Sequence, residues 1–454
     1  MKRRRLLQAG AGLPLAPILL SGCGGSSEPN VYLQGNYGPV GVESTVTDLQ
    51  VVGTLPSDLN GRFLRNGPNP QAGIDQDSYH WFIGDGMVHG IRLREGRAEW
   101  YRNRYVGGSA ANTNIIGHAG KTMAIVESGG IPQNMAYDLE NIGANSDIGG
   151  GFSAHPKLDP DTGELHAMCY DWANLRDHVR YVVIDAEGEW ADETEIPLPG
   201  MPMIHDMSIT KNYAIVYDLP VTLSFLALGT GASFPFRWDS EYEPRVGLLP
   251  RGGDASEIIW RGVNPNYAFH PMNAYEDENG DVVIDIVRYE KMFEADVHGP
   301  FGDSAPRLDR WIVNPNGDSG QVREEIVDAR GQEFPRCHPD LNGQPYRYGY
   351  AVAVENNTFP GIYKHDMQAG TSTEFKLDAG KHSAEPVFVP RDGAEAEDDG
   401  YLMTFVYDEK TGASEFVVLD AQDLSRPMLA SIPLPVRVPY GFHGNWVSDS
   451  ITPV

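Results

Sequence analysis

Short runs of β-branched and aromatic residues recur along the chain, and each gives way to a cluster of turn formers. Met123-Ala124-Ile125-Val126, Tyr181-Val182-Val183-Ile184 and Tyr213-Ala214-Ile215-Val216-Tyr217 are examples, and residues 282–287, 348–354, 401–407 and 416–419 repeat the pattern. Between them stand Asp159-Pro160-Asp161-Thr162-Gly163, Glu278-Asn279-Gly280-Asp281 and Asp408-Glu409-Lys410-Thr411-Gly412. Strand, polar turn and strand at this pace make antiparallel hairpins many times over. With 51 glycines and 33 prolines among 454 residues, the elements are kept short. No amphipathic helix longer than about three turns emerges, which disfavours a parallel βαβ architecture. One sheet of so many hairpins would curl or split beyond roughly ten strands. Four-stranded blades repeated around an axis solve both the size and the unpaired edges. At about 55 residues per blade, some 400 residues make about seven blades, with no WD or Kelch repeat to mark them. The expected fold is an all-β propeller.

Charge narrows the partners. Asp and Glu number 63 against 35 Lys and Arg, a net charge of −28, and such a polyanion repels nucleic-acid phosphates. Hydrophobic residues at 41% exclude a globally disordered chain. The first 22 residues hold Lys2, Arg3, Arg4 and Arg5 and no acid, then an apolar stretch over 13–20, then Leu20-Ser21-Gly22-Cys23. This pattern resembles a bacterial secretion signal closing on a lipobox, with Cys23 the lipidated first residue. Arg3-Arg4-Arg5-Leu6-Leu7-Gln8 is similar to the twin-arginine signal, whose pathway exports folded proteins. The expected organisation is a signal peptide over 1–22, a flexible tether over 23–36 and one globular domain over 37–454. The expected location is the periplasmic side of a membrane, held by the lipid on Cys23. No later stretch has the ~18 apolar residues that a membrane span needs. Three cysteines build no disulfide framework. Cys169 and Cys337 read as unpaired core residues.

Four of the 13 histidines share a local setting, in Ala154-His155-Pro156, Ile204-His205-Asp206, Phe269-His270-Pro271 and Phe442-His443-Gly444. Each sits among apolar and turn residues, as an imidazole at a strand end would. No helical pair motif explains their separations. In a propeller, inner strand ends from distant blades converge on one axis, so four imidazoles could form a cage for Fe, Zn, Cu or Ni. Taken singly, each reads first as a hydrogen-bonded core residue. Spacing alone leaves both readings open.

Longer motifs decide between them. Residues 60–70, reading Asn60-Gly61-Arg62-Phe63-Leu64-Arg65-Asn66-Gly67-Pro68-Asn69-Pro70, resemble an N-terminal signature of the carotenoid cleavage oxygenases, and so do residues 80–87, His80-Trp81-Phe82-Ile83-Gly84-Asp85-Gly86-Met87. Asn112-Thr113-Asn114, Ile204-His205-Asp206-Met207, Glu333-Phe334-Pro335-Arg336 and the Glu385-Pro386-Val387 segment continue the likeness in family order, from about Tyr37 to the C-terminus. The resemblance implies a seven-bladed β-propeller capped by loops and short helices over an axial non-haem Fe(2+), one per chain. It implies His155, His205, His270 and His443 as iron ligands. It implies Glu127, Glu333 and Glu385 as carboxylates that orient the rings through their remote N–H groups. Thr113 matches a residue whose methyl stands beside an open iron position. The implied reaction is O2-dependent scission of a conjugated carbon–carbon double bond of a carotenoid or apocarotenoid to two carbonyl products.

Two competitors remain at this level. The first is cleavage of a lignostilbene-like phenylpropanoid, for which a phenol-reading tyrosine and lysine are expected. Tyr101 suits the tyrosine, but Val126 stands where the lysine should precede Glu127. The second is a lipid-anchored carrier of hydrophobic ligands without turnover, which would have no use for a histidine cage. The residues 219–249, with Phe225, Leu226, Leu228, Phe234, Phe236 and Trp238, read either as a loop packed over the propeller or as an apolar mouth facing a membrane. The other nine histidines, His80 among them, read as structural, with the 80–87 motif shaping a hairpin. Arg62 and Arg65 read as buried ion-pair partners.

Overall fold

The structure, a computed structural model, describes residues 29–452 apart from 72, 108–109, 149 and 318–319. The expected signal peptide, Cys23 and the first part of the tether lie outside the described residues. The hairpins assemble into seven antiparallel blades. Blade two runs Asn114–His118, Lys121–Ile125, Gln133–Met135 and Asn141–Ala144 from axis to rim, and blade three runs Lys157–Leu158, Leu165–Tyr170, His178–Ile184 and Trp190–Pro197. Blade four is Met207–Ile209, Tyr213–Asp218, Arg245–Pro250 and Ile259–Gly262. Blade five begins at Pro271–Glu276 and blade six at Gln332–Cys337. In blade seven both Lys381–Ser383 and Val387–Pro390 pair with Gly400–Asp408.

Blade one closes the ring. Its strands Gly61–Pro68, Gly86–Arg94 and Arg97–Tyr105 receive Gly444–Ser448 as the innermost strand, in register from Arg65↔Gly444 to Gly61↔Ser448. Gly61 is required at this seam, because a Cβ there would stand 2.7 Å from the Val447 carbonyl oxygen. The apolar runs of the sequence are the middle strands, sandwiched between neighbouring blades: Val282–Arg288 is buried along its whole length. The rim strands are polar and exposed, as in Thr371–Lys376. This gradient across each blade, from apolar middle to wet rim, is what burial of both faces of a sheet demands.

Three expectations change. The tether does not extend to residue 36: Val31–Leu33 and Gly35–Tyr37 form 3-10 turns docked on the propeller, with Tyr32 stacked 5.7 Å from Trp81 and Tyr37 edge-on to Trp81 and Tyr440. Apolar area on two tyrosines outweighs the local flexibility that their Gly- and Ser-rich neighbours suggest. Arg62 and Arg65 are buried, but not as ion pairs. Arg62 donates to the Tyr137 carbonyl and to the Thr122 and Thr452 hydroxyls, and its guanidinium lies 4.0 Å from the Tyr137 ring centroid. Arg65 keeps Nε and Nη1 without a partner, and burial pulls its pKa down to about 10. The third change concerns residues 219–249, which are in part packed and in part exposed. Val221–Leu223 pairs with Phe236–Trp238 and packs down, while the short helix Phe225–Gly229 between them holds Phe225 and Leu226 out to solvent, 60% and 80% exposed. Cys169 and Cys337 are free thiols, each pushed up to about 12 by burial.

Candidate metal centre

All seven blades supply a residue from the start of the innermost strand. His155 and His205 stand two positions before the innermost strands of blades three and four, and His270 and His443 one position before those of blades five and one. Thr113 immediately precedes the innermost strand of blade two, Glu385 precedes Val387–Pro390 of blade seven by two, and Glu333 is the second residue of Gln332–Cys337. The recurrence brings residues from distant parts of the chain to one end of the axis. Glu127 joins them from just beyond the second strand of blade two.

The four imidazoles converge. One ring nitrogen from each lies within 4.8 Å of the others, and all four residues are buried. His205 Nε2 is 3.0 Å from His155 Nε2 and 3.2 Å from His270 Nε2. The His443 ring centroid is 4.3 Å from that of His155 and 4.7 Å from that of His270. Glutamate carboxylates stand at the outer edges of three of the rings. His270 Nδ1 donates to Glu333 Oε2 at 2.6 Å, and His443 Nδ1 to Glu385 Oε1 at 3.0 Å. His205 Nδ1 stands 2.7 Å from Glu127 Oε2. A proton held on Nδ1 leaves the Nε2 lone pair facing the centre.

Lone pairs 3.0 to 3.2 Å apart repel each other unless a cation lies between them. Two nitrogens bound at right angles about 2.1 Å from one ion are about 3.0 Å apart, so the spacing fits a first-row divalent metal. An all-imidazole set suits Fe(2+), and His155, His205, His270 and His443 form the iron site. Burial and then the neighbouring rings hold His155 well below its ordinary pKa. Burial also lowers His270 and His443, against the pull of Glu333 and Glu385. In His205 burial is outweighed by Glu127, and the pKa rises.

The carboxylates are secured unequally. Glu333 accepts from the Tyr289 hydroxyl at 3.0 Å and from the Phe334 N–H. Glu385 accepts from Arg336 Nε and Nη2 at 2.8 and 3.0 Å and from the Gly444 N–H at 2.7 Å. Burial pushes the Glu385 pKa up, but Arg336 and His443 bring it down to about 2. Glu127 is the most open of the three, with 13% of its side chain exposed against 3% and 2%. His155 has no glutamate: its Nδ1 lies 3.7 Å from Asp206, which Lys157 holds at 2.8 Å. The sequence reading missed Asp206, Lys157, Tyr289 and Arg336, although three of them lie within three residues of a site residue it named. Thr113 accepts the His443 N–H on its carbonyl, turns its hydroxyl to Asn112 at 3.0 Å and lines the cavity over the histidines.

A cavity of about 380 Å³ opens over the histidines, and His205, His270 and His443 reach it. Trp81, Phe82, Phe234, Phe269, Phe301 and Phe442 are among the aromatic residues of its wall. Residues 80–87 therefore do more than shape a hairpin. His80 itself is structural, buried with its ring stacked 3.9 Å from Phe234 and its Nδ1 accepting the Phe82 N–H. Val126 lines the cavity, and no Lys or Arg does among the described residues. Tyr101 corrects an expectation: it is buried in blade one, its hydroxyl paired with His89 Nδ1 at 2.8 Å, and it does not line the cavity.

Known proteins share this fold. The profile of the family described as retinal pigment epithelial membrane protein matches residues 37–110 and 106–448. A carotenoid cleavage oxygenase of Mycobacterium tuberculosis is 40% identical over 92% of this chain and 97% of its own length. The crystal structure of Pseudomonas brassicacearum lignostilbene dioxygenase superposes with a TM-score of 0.85 at 27% identity, covering 92% of this chain and 98% of that one. Cobalt-substituted apocarotenoid oxygenase from Synechocystis does so with a TM-score of 0.80 at 28% identity, covering 90% and 97%.

Proposed function

The chain belongs to the carotenoid cleavage oxygenase family, and from that premise we propose that it cleaves a conjugated double bond of a carotenoid or apocarotenoid with O2, giving two carbonyl products. Both atoms of O2 end in the products, so the reaction needs no external reductant. The single observation that carries the reading is a four-imidazole centre at the floor of an aromatic cavity. Bound Fe(2+) supplies the activation of O2. The chain's own residues do the rest. Glu127, Glu333 and Glu385 orient the rings, Thr113 flanks the centre with its methyl, and the aromatic wall excludes water and grips an apolar substrate. Glu127 and Glu333 are engaged with histidines, and they are the only carboxylates lining the cavity among the described residues, so none is left as a general acid or base.

The wall chemistry ranks the substrates. A phenol buried without its partner costs roughly 1–3 kcal/mol, which is tenfold or more in affinity. With Val126 in the lysine's place and Tyr101 turned away, a 4-hydroxystilbene meets no pairing cation here. A polyene needs none and gains about 0.8 kcal/mol for each buried CH₂-sized unit. Oxygen uptake and carbonyl formation by Fe(2+)-loaded protein should give apocarotenals a higher kcat/KM than 4-hydroxystilbenes. Efficient stilbene cleavage with no activity on any apocarotenoid would reverse the ranking.

The enzyme works at a membrane surface on this reading, held by lipidated Cys23 after twin-arginine export. Support comes from Phe225, Leu226 and Leu228, which are exposed on the loop that next supplies Ser233, Phe234 and Phe236 to the cavity. An exposed apolar knob on a loop that also lines the cavity suits a substrate dissolved in lipid. Cys23→Ser should abolish acyl labelling and release a soluble exported form. Phe225→Ser with Leu226→Ser should lower binding of the protein to lipid vesicles. Wholly cytosolic native protein, or vesicle binding untouched by the double change, would count against the anchor and the knob respectively.

A further inference from the structure

The strand Gln332–Cys337 serves two iron ligands at once, and it can do so because it is bulged. Glu333 stands opposite Val352 and Arg336 opposite Tyr350, so two residues, Phe334 and Pro335, lie across from the single Ala351 of the partner strand. On a regular strand, side chains three apart point to opposite faces. One extra residue restores the parity and brings Glu333 and Arg336 to the same side. The extra step is taken at Phe334, whose φ of +52° crowds any residue that has a Cβ and is ordinarily given to glycine at a bulge of this kind. Phe334 sends its N–H back to the Glu333 carboxylate. Its ring stacks on His270 (5.5 Å, 26°) and meets His443 edge-on (5.4 Å, 65°).

Each end of the bulge reaches a ligand. Glu333 takes the Nδ1 proton of His270. Arg336 grips both oxygens of Glu385, and through Nη2 it also holds the carbonyl of Gly444, the residue after His443, at 2.7 Å. Two-point guanidinium pairing fixes a carboxylate's orientation as a single contact cannot. A bulky residue kept in a strained conformation beside a site points to a constraint that outweighs the strain.

We propose that the bulged turn Glu333-Phe334-Pro335-Arg336 is a clamp on the iron centre. Arg336 is a positioning residue that fixes His443 through Glu385, and the left-handed Phe334 puts it on the face that Glu333 occupies. The clamp rests on the four-histidine iron site and is independent of which substrate is cleaved.

Iron affinity, measured by chelator competition under argon, and the electron paramagnetic resonance spectrum of the nitric oxide adduct test it. Arg336→Met should weaken Fe(2+) binding about 10–100-fold and alter the spectrum, and Arg336→Lys should recover part of the loss. Adding Arg336→Met to Glu385→Gln should cost little more than either change alone, because the pair acts as one unit. Phe334→Gly, which accepts the left-handed backbone, should keep more iron than Phe334→Val, whose branched Cβ resists it. Circular dichroism identifies folded variants, and if Phe334→Val does not fold, the Arg336 and Glu385 cycle decides. Native affinity and spectrum in Arg336→Met, fully additive losses, or equal iron in the two Phe334 variants would overturn the clamp. Iron-replete native protein that cleaves no polyene would overturn the proposed substrate and leave the clamp standing.

Discussion

Replacing His205 or His270 with alanine is expected to remove iron and turnover together. Purified native protein should carry about one iron per chain, and either variant close to none. The fold should survive, because neither ring holds the propeller closed; that is done by the pairing of Gly61–Pro68 with Gly444–Ser448. In His270→Ala the Glu333 carboxylate still receives the Tyr289 hydroxyl and the Phe334 N–H, so the buried acid is not stranded. In His205→Ala the freed Glu127 is the carboxylate most open to the cavity. Neither glutamate reaches in as a substitute, since each is directed at the remote side of its ring. Metal analysis beside thermal unfolding separates loss of metal from loss of structure. A folded variant with native iron content and full activity would remove that histidine from the ligand set.

These histidines are legible in the sequence for a physical reason. A propeller repeats one geometry seven times, so the starts of the innermost strands are equivalent positions around one axis, and the family motifs around these histidines mark which of them meet there. The hairpin period is legible for a similar reason: middle strands buried on both faces must be nearly continuous apolar runs, as Val282–Arg288 is. Positions set by side-chain direction or by distant partners are harder to read. Tyr101 looks suitable for the cavity, but alternation along Arg97–Tyr105 turns it into the core of blade one, and no local feature announces that phase. Tyr32 and Tyr37 sit in a stretch whose composition suggests a tether, and their docking depends on Trp81 and Tyr440 far along the chain. Arg336 belongs to a motif already visible, yet its reach to Glu385 needs a bulge, and a bulge is a property of two strands.

The glutamates should not be equivalent when each is changed to glutamine, and counting donors gives the order. A carboxylate can face donors with both oxygens, whereas an amide must present an NH₂ at one of the two places. In Glu333, Oε2 faces two fixed donors, His270 Nδ1–H and the Phe334 N–H, while Oε1 faces only the Tyr289 hydroxyl. A hydroxyl can rotate and accept, so Glu333→Gln can keep its oxygen on the His270 side and give its NH₂ to Tyr289. Glu385 has no such escape. Oε1 faces His443 Nδ1–H and Arg336 Nε, and Oε2 faces Arg336 Nη2 and the Gly444 N–H, all donors that cannot turn. An amide there sets N–H against N–H in either orientation and removes the charge that Arg336 pairs with. Outer carboxylate losses typically cost about 10–100-fold in metal affinity or activity. Glu333→Gln should fall near the tenfold end and Glu385→Gln near the hundredfold end, read as the concentration of chelator that strips half the iron. Equal losses, or a larger loss in Glu333→Gln, would mean that the ring proton alone sets the affinity and that the donors behind each carboxylate do not matter.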